Sequence, residues 1–268
     1  MADPMYRQIA DDLRGKIESG EWDAGFQLPT ELELREQYGA ARNTVRDAIK
    51  LLIVNQLVET RPGRGTFVTE RITPYVSTLS ADPRTGFAGG EGTTYLSEAR
   101  ARRREPAMTV PRVEIQGASE LAVHELRIAP DSQVVSRHQQ LRIDGKPYSM
   151  QTSFYPMRFV TAGATRLVEA TDIEEGVATY LKSVLGLIQV GYQDRITARP
   201  PNSGEIAFFR FPDNSSVLIL ETIRTAYDAE GGPFRVTVTV WPADRNHLVY
   251  NIGQLPDYIT DPAASADG

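Results

Sequence analysis

The chain has 268 residues, of which 41% are hydrophobic and 24% charged, as expected of a soluble globular protein with two domains. It has no cysteine, which excludes disulfides and thiolate metal sites and is consistent with a reducing cytoplasm. Neither a membrane span nor a signal peptide is predicted, and the net charge of −6 argues against nonspecific coating of nucleic acid.

Two helices are predicted at the start of the chain. Apolar residues recur every four positions in the first: Met5, Ile9, Leu13 and Ile17. Gly20 is placed to end this helix. Thr30 and Glu33 have the spacing of a capping box, in which each side chain satisfies a free backbone N–H at a helix start. A second helix is therefore predicted to begin there and to end at Gly39.

A third helix is predicted over residues 40–52, with apolar and polar residues on opposite sides. The apolar side has Val45, Ala48, Ile49, Leu51 and Leu52, and the polar side has Arg42, Asn43, Arg46, Asp47 and Lys50. Taken alone, this pattern is typical of a solvated amphipathic helix. Two arginines four residues apart also suit guanine edges or phosphates, and the preceding helix and turn favour a helix that enters a major groove.

A hairpin with a glycine-rich tip is predicted after the third helix. Two short β-favouring runs flank Pro62-Gly63-Arg64-Gly65, and behind a helix-turn-helix this pattern indicates a wing whose arginine can enter a minor groove. Residues 1–70 contain nine Lys/Arg against twelve Asp/Glu, whereas residues 42–67 contain five against two. The positive charge is therefore local, as expected of a small DNA-reading surface.

Residues 5–68 resemble the winged helix-turn-helix domain of GntR-type bacterial transcription regulators. The resemblance is carried by Leu28-Pro29-Thr30-Glu31, Gly39, Arg42, Thr44-Val45-Arg46, Ala48 and Gly63-Arg64-Gly65-Thr66-Phe67-Val68. It implies that Arg42, Thr44 and Arg46 contact bases and phosphates and that Gly63, Arg64 and Gly65 form the wing contact. The full predicted DNA-binding set comprises Thr30, Arg42, Asn43, Thr44, Arg46, Lys50, Arg61, Gly63, Arg64, Gly65 and Thr66.

The sequence departs from the family pattern at two positions. Leu32 stands where the family usually has an arginine, and Ala41 stands where it usually has a serine N-cap. Loss of such a cap costs a helix about 1 kcal/mol. The operator preference is therefore expected to differ from the usual one.

The first domain is predicted to span residues 1–70. Prolines and glycines interrupt any periodicity over residues 71–95, which predicts a linker. A second domain is predicted over residues 96–255. The small, polar residues 256–268 are predicted to form a flexible tail.

The second domain has the pattern of an α+β fold. Strands are predicted at Met108–Ile115, Gln133–Ile143, Pro147–Tyr155, Val190–Ala198, Val217–Tyr227 and Phe234–Trp241. Helices are predicted at Glu120–Arg127, Phe159–Ala170, Val177–Leu185 and Ser203–Phe209, the last with a capping box from Asn202 and Glu205. Asp144-Gly145 and Gly231-Gly232 lie where hairpin turns belong, so the strands they join are expected to be antiparallel.

This half of the chain resembles the UTRA effector-sensing domain of the HutC-like branch of GntR regulators. The matching segments are Asp144-Gly145-Lys146-Pro147, Gln151-Thr152-Ser153-Phe154-Tyr155-Pro156, Thr179-Tyr180-Leu181, Gly232-Pro233 and Asp244-Arg245. The resemblance implies a six-stranded antiparallel sheet with helices over it, like that of chorismate lyase.

A ligand site is predicted on one face of this sheet. Arg235, Thr237, Thr239 and Trp241 alternate with three valines, so the polar face of that strand is either exposed to solvent or lines a pocket. The favoured strand register places Arg137, Gln139, Gln151 and Ser153 together, since UTRA members bind their ligand between these strands. The full predicted set comprises Arg137, Gln139, Gln151, Ser153, Tyr180, Tyr192, Arg235, Thr237 and Trp241.

The sequence does not identify the effector, but it disfavours a phosphosugar. UTRA members that sense sugar phosphates have an Arg-x-Arg pair at the positions of Gln139 and Leu141. Without those cations, Arg137 and Arg235 are the candidates to pair with a carboxylate.

The sequence therefore predicts a ligand-responsive transcription regulator. It is expected to bind a pseudo-palindromic double-stranded DNA operator as a homodimer, to respond to a small-molecule effector, and to need no cofactor, metal or membrane. The alternative is a lyase-like enzyme of the UTRA fold with an incidental N-terminal domain. His124, His138 and His247 are scattered, and no metal-ligand spacing or nucleophile motif supports catalysis.

Overall fold

The computed structural model describes residues 3–55, 57–69, 75–79, 99–100, 103–212 and 215–251. The chain forms two compact units, Met1–Thr73 and Pro74–Gly268. Each unit has its own hydrophobic core, as the length of the chain requires.

The N-terminal unit is a three-helix domain with a β-hairpin. Its helices are α1 (Met5–Glu18), α2 (Glu31–Tyr38) and α3 (Arg42–Val54), and its hairpin strands are β1 (Val58–Arg61) and β2 (Gly65–Val68). The core comprises Ile9, Ala10, Leu13, Ile17, Trp22, Leu28, Leu34, Ala40, Val45, Ala48, Ile49, Leu52, Val58 and Val68. The apolar periodicities of the first and third helices therefore predicted most of their buried sides, but Met5 at the start of α1 is 45% exposed and Leu51 is only partly buried.

The ends of α2 follow local rules. The Thr30 hydroxyl accepts a hydrogen bond from the Glu33 amide, and the Glu33 carboxylate accepts one from the Thr30 amide, which confirms the capping box. Gly39 ends the helix with φ of 58°. The N-cap of α3, Ala41, makes no side-chain hydrogen bond to the helix. The turn between α2 and α3 is therefore determined by the left-handed Gly39 at the end of α2, and not by a capping hydrogen bond from Ala41.

The C-terminal unit contains a seven-stranded antiparallel sheet. Its strands are β4 (Pro106–Met108), β5 (Arg112–Gly117), β6 (Gln133–Ile143), β7 (Lys146–Pro156), β8 (Gln189–Arg199), β9 (Ile219–Asp228) and β10 (Pro233–Pro242). The order is β4-β6-β7-β10-β9-β8, and β5 also pairs with β6. Asp144 and Gly145 have positive φ at the turn between β6 and β7, and this turn confirms the predicted hairpin.

Helices cover both faces of the sheet. They are α4 (Glu120–Leu126), α5 (Arg158–Thr161), α6 (Val177–Leu185) and α7 (Ser203–Phe209), with a 3-10 turn at Thr165–Val168. Helices α4 and α7 pack on the side of Val236 and Val240. The other side, which we call the front face, includes Arg137, Ser153 and Thr237. It is covered at one end by α5, α6 and the 3-10 turn.

Two predicted elements are broken in the structure. The predicted strand Met108–Ile115 is two strands, because Pro111 has no N–H to donate to a ladder and the chain leaves β6 there. The predicted helix Phe159–Ala170 is the short α5 and the 3-10 turn, because Gly163 has φ of 115°. The sheet therefore has seven strands rather than the six expected.

Part of the predicted linker is a strand. Tyr75–Thr78 forms β3, which pairs in parallel with β11 (Asn246–Val249). Tyr75 and Leu79 are buried in a cluster with Trp241. Alternate side chains of this strand therefore face the cluster, and their burial stabilises the strand although a proline precedes it in sequence. Residues 71–74 and 80–95 of the predicted linker and the predicted tail 256–268 lie outside the described residues.

A buried carboxylate attaches α4 to the sheet. Glu125 accepts hydrogen bonds from the Thr225 hydroxyl at 2.6 Å and from Arg195 Nη2 at 2.5 Å. Burial raises the pKa of Glu125, but the hydrogen bonds from Thr225 and Arg195 outweigh burial, and the pKa lies below its ordinary value. The folded state therefore stabilises the ionised form of the Glu125 carboxylate.

We expect Glu125→Gln to destabilise the C-terminal unit by about 1–3 kcal/mol at neutral pH, because charge-assisted hydrogen bonds are lost in a buried position. A lowered folded pKa gives stability that is present above the unfolded value and lost as pH falls through the folded value. The difference between variant and parent should therefore shrink below about pH 4. Urea unfolding in a Trp22→Phe background measures it, because fluorescence then comes from Trp241 alone.

The matched control is Glu174→Gln, which removes an exposed carboxylate of the same unit. It should leave the urea midpoint unchanged. An equal midpoint for Glu125→Gln and its parent at neutral pH would contradict the role assigned to Glu125.

Candidate DNA-binding surface and effector site

Helix α3 places its polar side chains outward. Arg42, Asn43, Arg46 and Lys50 are exposed, and Thr44 is half-buried. The opposite side is anchored in the core by Val45 and Leu52, both 0% exposed. The predicted helix residues thus share one surface of the N-terminal unit, which we call the α3 surface (Arg42, Asn43, Thr44, Arg46 and Lys50).

One carboxylate contacts both arginines of this surface. Glu31, the first residue of α2, has Oε2 3.1 Å from Arg42 Nε and Oε1 3.0 Å from Arg46 Nε. The Glu31 side chain is 36% exposed, and those of Arg42 and Arg46 are 66% and 54% exposed. The sequence carries no local signal for this contact, since Glu31 and the two arginines belong to different helices.

The hairpin tip is held by the loop before α2. Gln27 Nε2 donates to the Arg64 carbonyl at 2.9 Å, and Leu28 N donates to the Thr66 carbonyl at 2.8 Å. A Cβ at Gly65, where φ is 116°, would lie 2.7 Å from Gln27 Nε2, so this position requires glycine. The Arg64 side chain is exposed at the tip.

Three other predicted DNA-binding residues have structural contacts. The Thr30 hydroxyl belongs to the capping box, and the Thr66 hydroxyl lies 3.3 Å from that of Thr60. Arg61 pairs with Glu59 at 2.7 Å and stacks on Phe67. These contacts stabilise the wing and the start of α2 independently of any contact with DNA.

The front face has the register that the sequence favoured. Arg137 pairs with Ser153, Gln139 pairs with Gln151, and Ser153 pairs with Thr237 on β10. Directly paired residues of antiparallel strands lie on one face, so these side chains form a continuous polar surface. The face is buried rather than solvated, with Ser153 5%, Gln151 8% and Thr237 4% exposed.

The guanidinium of Arg137 donates hydrogen bonds to backbone carbonyls. Nη1 donates to the carbonyls of Arg166, Leu167 and Glu169 at 2.8–3.3 Å, and Nη2 donates to that of Thr171 at 2.6 Å. Burial lowers the pKa of Arg137 from its ordinary value. The expected pairing of Arg137 with a ligand carboxylate is not supported, because Arg137 instead holds the 3-10 turn and the chain after it.

A buried ion pair was missed by the sequence reasoning. Arg224 on β9 pairs with Asp194 on β8 through Nε at 2.7 Å and Nη2 at 2.6 Å, and its Nη2 also donates to the Leu79 carbonyl. Arg224 lies opposite Thr237 on the neighbouring strand β10. The ion pair therefore extends the line of polar residues formed by Arg137, Ser153 and Thr237, which we call the polar row. The local sequence gives little signal for this ion pair, because Thr222 and Arg224 are flanked by the polar Glu221 and Thr225, and only Ile223 between them is apolar.

The remaining predicted effector residues pack against the α6 core or against Leu79. The Tyr180 hydroxyl accepts from the Arg166 amide within the α6 core. The Tyr192 hydroxyl donates to the Leu79 carbonyl, and Trp241 packs with Tyr75 and Leu79. Arg235 is 1% exposed and donates to Gln189 Oε1 at 3.1 Å.

Two buried polar atoms on this face lack a hydrogen-bond partner within the described ranges. They are Thr222 Oγ1 and Trp241 Nε1, whose residues are each 3% exposed. Buried polar atoms are rarely left unsatisfied, because each one costs free energy. Thr222 lies opposite Thr239 on β10, so the unsatisfied hydroxyl of Thr222 lies beside the polar row.

Comparison with known families identifies both units. Residues 5–68 match the family model of bacterial regulatory proteins of the gntR family, and residues 101–247 match that of the UTRA domain. The chain belongs to the GntR family of transcription regulators. It has the GntR/UTRA, or HutC-like, architecture and is a DNA-binding transcription regulator of the α+β class.

Individual relatives support this assignment. The HTH-type transcriptional regulator RB1450 of Rhizobium meliloti is 27% identical over 247 residues, covering 91% of this chain and 93% of that protein. The mannosyl-D-glycerate transport/metabolism system repressor MngR of Escherichia coli is 44% identical over 72 residues, covering 27% and 30%. A crystal structure of a GntR-family transcriptional regulator superposes with a TM-score of 0.71 at 25% identity, covering 94% of this chain and 99% of that one.

Neither a metal-binding cluster nor a membrane-spanning helix occurs in the described part of the chain. No group of three or more His, Cys, Asp or Glu residues there is arranged to hold a metal ion. Within the same ranges, no helix is long and apolar enough to cross a membrane.

Proposed function

We propose that this GntR-family protein is a repressor that binds a pseudo-palindromic operator as a homodimer and changes its operator affinity when a small molecule binds the front face. The outward guanidinium groups of Arg42 and Arg46 on α3 carry the DNA-binding part of this proposal. MngR, to which the N-terminal unit is similar, is named a repressor.

The α3 surface suits direct readout of a major groove. Arg42 and Arg46 lie one helical turn apart, and a guanidinium donates to guanine O6 and N7 in a fixed fork. Lys50 lies one turn further along, where it can contact a phosphate. Arg64 at the wing tip is placed to contact a minor groove.

We expect Arg42→Ala and Arg46→Ala each to weaken operator binding by about 1–3 kcal/mol, because each removes a base or phosphate contact. Arg64→Ala should cost less and relax the minor-groove preference. Fluorescence anisotropy at moderate salt, on a fragment selected from genomic DNA by the parent protein, measures these affinities.

Arg14→Ala is the control, because it removes one charge from α1 at an ion pair with Asp11. It should bind the operator within about twofold of the parent. Parent-like binding by both α3 variants would rule out α3 as the reading helix.

An apolar surface at β8 suits a second copy of the chain. Val184, Ile188, Val190 and Ile196 are 41%, 47%, 54% and 40% exposed and lie on α6, on β8 or between them. Among the described strands, β8 is an edge strand, and edges with exposed apolar residues pair readily with another chain. A homodimer through this surface would give the two-fold symmetry that a pseudo-palindromic operator requires.

We expect Val190→Glu to raise the dimer dissociation constant at least about tenfold, because a carboxylate would be buried in an apolar interface. Sedimentation velocity across a dilution series measures the dissociation constant. Val110→Glu, at a residue that is 71% exposed on the connection between β4 and β5, is the matched control and should leave it unchanged. A dimer equally stable in both variants would exclude the β8 surface.

The chemistry of the front face favours an uncharged, hydroxyl-bearing effector over an anion. Four carbonyls take the donors of Arg137, Asp194 balances Arg224, and the buried Arg235 donates to the side-chain amide of Gln189. The groups between them are the hydroxyls and amides of Gln139, Gln151, Ser153, Thr222, Thr237 and Thr239. Such groups both donate and accept, as hydroxyl-rich ligands require.

We expect neutral sugars or polyols, rather than their phosphates or sugar acids, to release the operator from the parent protein. Typical coupling changes operator affinity about 5- to 150-fold. Thr237→Val should raise the concentration for half-release about tenfold or more, because a buried hydroxyl contact is lost, and should leave affinity without effector unchanged.

Thr197→Val, at an exposed position of β8, is the control and should respond as the parent does. Release by phosphates or sugar acids alone would contradict the neutral class. Unaltered release from Thr237→Val would place the effector site elsewhere.

A further inference from the structure

We infer that Glu31 is a positioning residue that makes the α3 surface selective for bases over phosphates. The inference rests on the proposed role of α3 as the reading helix. Glu31 uses one carboxylate oxygen for each arginine, at 3.1 Å to Arg42 and 3.0 Å to Arg46. In each ion pair the shortest distance is to Nε, the guanidinium atom nearest the side-chain stem, and Arg42 Nε also donates a hydrogen bond to Glu31 Oε2.

The Nε contact leaves the outer edge of each guanidinium available. In the part of the chain that the structure describes, neither Arg42 nor Arg46 donates a hydrogen bond from Nη1 or Nη2 to another residue, and both side chains are more than half exposed. Two parallel N–H groups from one guanidinium are what guanine O6 and N7 accept. Glu31 therefore holds the two arginines by their inner edges and presents their outer edges.

The position of Glu31 is itself fixed. It is the first residue of α2, directly after Thr30, whose hydroxyl and amide are bonded to Glu33 in the capping box. A carboxylate is favoured at a helix N-terminus by the helix dipole. Arg42 is the first residue of α3, where the dipole disfavours a cation, and the carboxylate offsets that penalty.

The charge of Glu31 also restrains phosphate binding. Three charged groups meet here, and the carboxylate reduces two positive charges to one. Attraction to phosphates is independent of sequence and grows with the number of cations that neutralise them. An unrestrained arginine pair would therefore gain nonspecific DNA affinity while losing the fixed geometry that bases require.

The test measures binding to the selected operator fragment and to a shuffled duplex of equal length and composition, over a series of salt concentrations. We expect Glu31→Gln to bind the shuffled duplex several-fold more tightly, with a salt slope steeper by about 1. Its operator-to-shuffled affinity ratio should fall about tenfold or more, because both base contacts lose their restraint.

Glu31→Asp separates geometry from charge. It keeps the carboxylate and shortens the side chain by one methylene, so it cannot reach both Nε atoms in their present positions. The ratio should fall while the salt slope on the shuffled duplex stays that of the parent. Because Asp retains an acid at the helix start, this variant remains informative if Glu31→Gln is less stable.

Glu36→Gln is the matched control. Glu36 is an exposed acid on the same helix, so its removal changes the charge of the unit equally without touching the arginine pair. Its affinity ratio should stay within about twofold of the parent. Parent-like ratios in both Glu31 variants would overturn the inference while leaving the reading role of α3 in place. A parent protein without preference for the operator would instead remove the proposed function, and the inference with it.

Discussion

The register between β6, β7, β10 and β9 is the constraint on which the C-terminal unit depends. Pairing of Ser153 with both Arg137 and Thr237 places every second residue of these strands on the front face. A slip of one residue would exchange this polar row for Val236 and Val240, which pack under the helices of the other face. The Asp144-Gly145 turn joins the first pair, and the irregularity between Leu141 and Arg142 shifts their pairing by one residue, so the turn and the bulge together set the register of the face.

Arginines occur in both units at points where the structure joins separate segments. Arg137 gathers the carbonyls that follow α5, Arg224 links β8, β9 and the chain end of β3, and Glu31 joins α2 to two arginines of α3. The buried cases are fully engaged, since a desolvated charge without partners would be costly. The exposed pair on α3 is engaged only at its inner edges. This difference in burial separates arginines that maintain the fold from arginines that remain available to DNA.

Local signals were reliable where one residue type decides the backbone. The capping boxes at Thr30 and Asn202 are both formed. The errors came where a long range was read as one element. Gly163 interrupts the predicted helix Phe159–Ala170, and Pro111 divides the predicted first strand of the sheet. Tyr75–Thr78 falls within the predicted linker because its partner strand Asn246–Val249 lies about 170 residues away in sequence.

The sequence by itself determined the amphipathic third helix, its caps and turns and the strands of the front face, because periodicity, caps and turn residues act over a few positions. Its motifs carry the family resemblance that the two family models confirm. Only the tertiary structure decided which charged groups are already satisfied. Arg137 is occupied by carbonyls about 30 residues away, Asp194 neutralises Arg224 from the neighbouring strand, and Glu31 meets Arg42 and Arg46 across a turn. Such pairings depend on distances between atoms of separate elements, and residue order does not specify those distances until the chain has packed.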